Sequence, residues 1–188
     1  MQLPFRVRNR AFDEAIQQLR DGRPGESGYG RRVALILTIP MFSDPVARDI
    51  RRSANGELYV VRTVWQRALD ASSSTPESRV VAFGPRPMAA ALELLATRRP
   101  SLVSTRVEVD PDALDALLES VASATIACHV HQPDPPLDAT VYEVTFGDEL
   151  NETRYRWVGR PPEAWAALGA FASRLIRLVD EPARAGAR

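Results

Sequence analysis

The sequence predicts an α+β protein: a mostly antiparallel sheet with three to four helices packed on it, ending in a unit of strand, helix, hairpin and helix. Three patterns carry that expectation. In residues 140–158 one register sorts both faces of a hairpin. With Phe146 and Thr153 flanking the loop, Val144 faces Tyr155 and Tyr142 faces Trp157, while Glu143 faces Arg156 and Thr145 faces Arg154. A slip of one residue would set Tyr and Trp against Arg and Glu. In residues 46–65, Asn55-Gly56 is a type I′ turn signal, because both residues tolerate positive φ. Finally, Asp110-Pro111 and Pro161-Pro162 each open a run with apolar residues at helical spacing.

Taken in order, Asn9 caps a predicted helix over 10–20 with Phe12, Ala15, Ile16 and Leu19 on one stripe, and Gly22 supplies a left-handed exit. Residues 21–30 form a turn-rich connector. The apolar run 32–39, bounded by Gly30 and Pro40, reads as a buried strand. Of the first hairpin's arms, 57–66 is β-rich, whereas Val46, Ile50 and the arginines between them also suit a short helix after Asp44-Pro45. Residues 71–78, with Ser72-Ser73-Ser74-Thr75-Pro76, are expected to be a mobile loop inside one domain spanning 1–188.

Residues 79–83 suggest a short strand and 87–98 a helix that Pro100 stops. Strict alternation over 102–109 predicts a half-buried strand. The next helix has Asp110 as N-cap and Leu114, Leu117, Leu118 and Val121 as its stripe. A short extended piece, 127–132, leads through Pro133-Asp134-Pro135-Pro136 into the final hairpin. The last helix sets Trp165, Leu168, Ala172, Leu175 and Val179 on one stripe, with Glu181-Pro182 as its stop and 183–188 as a frayed tail. That stripe is expected to cover Tyr142, Tyr155 and Trp157, making them core and not a ligand cage.

Composition narrows the chemistry. A chain of 188 residues with 45% hydrophobic and 26% charged residues can bury a core without staples. Its longest apolar run, 33–39, is far short of the roughly 20 residues of a spanning helix. The start, Met1-Gln2-Leu3-Pro4-Phe5, lacks the apolar segment of a signal peptide, so a bacterial-type cytoplasmic protein is the expectation. Net charge is zero and all 24 basic residues are Arg. The first argues against nucleic acid or an anionic membrane as partner, and the second removes every lysine mechanism. Cys128, the single cysteine, rules out an internal disulfide and is expected to be a small buried hydrophobe.

Two constellations remain as candidate sites. His129 and His131 would share one face of a strand, close enough to bind one metal with Asp134 or Asp138 as a third ligand. Cys128 and His129 point to opposite faces and make no dyad. The Gly25-Glu26-Ser27-Gly28-Tyr29-Gly30 run follows a helix and precedes a strand, the reverse of a phosphate loop. Asp148, Glu149 and Glu152 read as a solvated loop tip that could meet a partner's basic surface, and Arg31-Arg32 and Arg51-Arg52 as solvated charges. The polar face of the hairpin is the second candidate: Glu143, Arg154, Arg156 and, just beyond, Arg160 form a set that could grip carboxylates on a partner. The expectation is a non-enzymatic interaction module, without cofactor, that binds another protein or itself. Its competitors are a small metal-assisted hydrolase built on His129 and His131, and a small-ligand binder with a pocket between sheet and helices.

Overall fold

A computed structural model describes residues 3–22, 30–40, 43–66, 100–130, 139–147 and 151–185, with the backbone alone for 3–11 and 182–185. The predicted strand 79–83, the predicted helix 87–98 and the loop 71–78 lie outside these residues. Among the described residues six strands form one antiparallel sheet: β1 (Arg31–Ile39), β2 (Val46–Arg52), β3 (Leu58–Trp65), β4 (Leu102–Val107), β5 (Val141–Phe146) and β6 (Thr153–Val158), in the order β4-β3-β2-β1-β5-β6. Three α-helices are described with it: α1 (Leu3–Asp21), α2 (Pro111–Ala122) and α3 (Ala166–Ala185). None of them is long and apolar enough to cross a membrane.

The central place of β1 explains its apolar run, broken only by Thr38, since both of its faces are covered. Ala34 and Ile36 join Ile50, Val60, Val144 and Trp157 under α2 and α3. From the helices come Leu114, Leu117 and Val121 of α2, and Leu168, Phe171, Leu175 and Val179 of α3. On the opposite face, Leu35, Leu37 and Ile39 meet Ala15, Ile16 and Leu19 of α1, with Ala47 and Trp65 completing the cluster. Phe12 sits over the Trp65 ring at 5.7 Å between centroids.

The β5/β6 register is the one read from alternation: Val144 opposes Tyr155, Tyr142 opposes Trp157, and Glu143 opposes Arg156. Trp157 and Tyr142 stack at 5.5 Å, and Trp165 meets Trp157 edge-on. Asp110 caps α2 as expected, accepting a hydrogen bond from the Asp112 N–H.

The 46–52 arm is a strand, the hairpin reading and not the short helix it also suits, with Arg48 paired to Asp180 and Asp49 to Arg32 and Arg51. Other expectations give way. The turn that follows is not type I′: Asn55 keeps negative φ, Gly56 N–H bonds to the Ser53 carbonyl, and only Gly56 is left-handed at +87°. That is a three-residue loop closed by a glycine bulge. Helix α1 starts at Leu3, not after Asn9, because Pro4 sits in its first turn, where no N–H is needed. Helix α3 follows a single 3-10 turn (Glu163–Trp165) and runs past Pro182 to Ala185. A proline in the final turn removes one backbone bond without ending the helix. Over 127–130 no strand forms.

Candidate functional site

On the hairpin's polar face the structure separates the four predicted residues into two environments. Glu143 is 1% exposed, buried beneath α1. Arg20, in the last turn of α1, donates to both of its carboxylate oxygens, Nε at 2.8 Å and Nη2 at 2.7 Å. Arg154 approaches the same carboxylate at 3.5 Å and also pairs with Glu152. Arg156 and Arg160 are exposed. Glu143, expected in the open binding set of the polar face, is therefore covered and withdrawn from it. The hairpin alternation marks its polar face but gives no sign that a helix 123 residues away covers part of it. The hydrogen bonds from Arg20 to Glu143 raise the arginine's pKa against the opposing effect of burial.

A second ion cluster lies on the same face. Asp49, 5% exposed, accepts from Arg32 through Nε and Nη2, each at 3.0 Å, and from Arg51 Nε at 2.8 Å. Arg32 and Arg51 are thus bound to a buried carboxylate and are not the solvated charges expected. Between the two clusters the Thr145 hydroxyl is buried without a hydrogen-bond partner.

The α3 face carries a third cluster at one end. Arg48, 3% exposed, bonds through Nη1 to the Thr38 hydroxyl at 3.2 Å and in bidentate fashion to Asp180 of α3. Arg62, its neighbour across the ladder, reaches the same carboxylate at 3.1 Å. Burial alone would raise the pKa of Asp180, but the bonds and charges of Arg48 and Arg62 prevail and lower it. Each of these carboxylates is saturated by guanidinium groups, which suits a structural part and not proton transfer.

Cys128 and His129 are both exposed, so the expected burial of Cys128 is corrected; the chain there is a surface loop and not a strand. His131, Asp134 and Asp138 lie outside the described residues, as do Asp148 and Glu149. Among the described residues no three His, Cys, Asp or Glu side chains gather in a metal-binding group. Of the glycine-rich connector only Gly30 is described, and its N–H donates to the Tyr59 hydroxyl at 2.7 Å.

What the hairpin offers chemically is an edge. Among the described residues no strand pairs with the outer side of β6. Because Gly159 N–H bonds to the Thr140 carbonyl, the alternation of the ladder turns the backbone groups of residues 153, 155 and 157 toward β5. Those of Arg154, Arg156 and Val158 turn away from it. Arg154 and Arg156 side chains also share one face of that edge, with Arg160 at its end. Comparison with protein-family models, curated proteins and solved structures finds no match to this chain.

Proposed function

We propose that this protein is a non-enzymatic interaction module that takes an extended acidic segment of a partner protein along β6. One observation carries this reading: β6, the last strand of the sheet among the described residues, presents outward-turned backbone groups and exposed arginines together. Strand addition to such an edge supplies main-chain hydrogen bonds, and side chains alternating along the added strand supply selectivity. Arginine forks at positions 156 and 160 would select carboxylates, beside Arg154, which is already paired with Glu143 and Glu152. With no net charge on the chain, recognition of this kind depends on the local cluster and not on a global field.

A peptide alternating Glu and Val is the probe. Binding is expected to protect the Arg154, Arg156 and Val158 amides from hydrogen exchange and to weaken with salt. The double reversal Arg156→Glu with Arg160→Glu should lower affinity at least about tenfold, or 1.4 kcal/mol. Binding that leaves those amides unprotected, or that ignores the reversal, sinks the reading.

A further inference from the structure

We propose that the outer surface of the α2/α3 layer is a twofold interface between two copies of this chain. A groove runs between the helices, lined on one side by Ala113, Ala116 and Leu117 and on the other by Arg174, Arg177 and Leu178, with Glu181 at its end. Two apolar side chains floor it, and two alanines leave one wall low enough for another backbone to come close.

The charges around the groove are unusual in staying apart. Arg174 and Arg177 are exposed and form no ion pair with any described residue. On the neighbouring helix Asp112, Asp115 and Glu119 are exposed too, and the nearest cation to Asp115 is Arg52 at 3.9 Å. A cationic stripe and an anionic stripe therefore lie side by side on one surface without neutralising each other. A twofold axis along the groove brings the α2 acids of one copy to the α3 arginines of the other, and every such contact occurs twice. The spacing fits: Asp112 and Asp115, like Arg174 and Arg177, stand three residues apart, about 4.5 Å along a helix. An acidic partner of another kind would use the arginines but leave the α2 acids facing its own charge, so a second copy is the occupant that satisfies both stripes.

This interface lies on the helical layer and stands independently of the β6 edge. Sedimentation equilibrium of the full chain should show a reversible dimer that weakens with added salt. R174E/R177E and, separately, D115R/E119R should each raise the dimer dissociation constant at least tenfold. Their equimolar mixture should associate again, because the reversed residues of each variant then meet opposite charge on the other. Circular dichroism checks that each variant is folded, and A116W, which blocks the groove sterically without changing charge, gives a second route to monomer. R156E/R160E should leave the dimer intact, so failure of the edge reading is distinguishable from failure of this one. A wild-type chain that remains monomeric to about 0.5 mM, far above the micromolar range of specific association, overturns the proposal. So does a dimer that neither reversal disturbs, or a mixture of folded variants that stays monomeric.

Discussion

Under α2 and α3 the largest buried side chain is Trp157, stacked on Tyr142 and met by Trp165. Under α1, by contrast, the buried centre of the β5/β6 hairpin is the carboxylate of Glu143, gripped by Arg20. The first face is stabilised by area removed from water, which has no preferred direction and tolerates small shifts. The second depends on a particular partner at a particular place. Desolvating a carboxylate is offset only when its lone pairs are met, so Arg20 fixes where α1 lies on the sheet more than it adds net stability. Asp49 with Arg32 and Arg51 repeats that logic two strands away. At the β5/β6 hairpin the two faces are thus closed by different physics, although the α1 face also holds an apolar cluster and the α3 face the Arg48–Asp180 pair, and mutations in the hairpin should tell them apart.

The largest effect is expected on the aromatic face. Trp157→Ala should lower unfolding free energy by about 3–5 kcal/mol in urea titrations. Trp157→Phe should cost only about 1–2 kcal/mol, because the indole N–H has no partner in the core and its removal relieves an unmet donor. Equal losses for both variants would mean that the packing is not the source of stability.

On the charged face Arg20→Ala should cost about 2–3 kcal/mol, since it strands a buried carboxylate with only Arg154 nearby. Replacing both partners, Arg20→Leu with Glu143→Leu, should cost less than the single change. If the double variant is the worse of the two, the ion pair contributes net stability and the contrast between the faces is weaker than argued.

The smallest effect concerns acid. The pKa of Asp180 is lowered in the folded state relative to its ordinary 3.8. Its contribution is therefore complete above that ordinary value and is lost as pH falls through the lower folded one. Asp180→Asn should be about 1 kcal/mol less stable at neutral pH, and the gap to wild type should close below pH 4. A gap that stays constant through the acid range would show that the carboxylate's charge is irrelevant there.

How legible these features were in the sequence follows from the distance over which each is determined. The β5/β6 register is local, because alternation over a few residues leaves one pairing that keeps Tyr142 and Trp157 together. The α2 start is local too, set by Asp110 and Pro111. Helix α1 was underestimated because Asn9 reads as an N-cap, whereas the helix already begins at Leu3 with Pro4 in its first turn. The candidate site fared differently. Arg154, Arg156 and Arg160 follow from strand parity, but the burial of Glu143 depends on which face α1 covers. Likewise the burial of Arg48 in β2 is met by Asp180, 132 residues away. Residues buried as ions look like surface residues until their partners are known, and nothing in their spacing reveals those partners.

The place of β1 in the sheet also bears on how the chain is made. Its neighbours are β2, which follows within a few residues, and β5, which begins only at Val141. During synthesis, β1 and β2 leave the ribosome long before the second neighbour exists. Throughout that interval the strand with the most continuous apolar run has one open edge, a template for pairing with another nascent chain. The β5/β6 hairpin, besides presenting its own outer edge, is the element that ends this exposure.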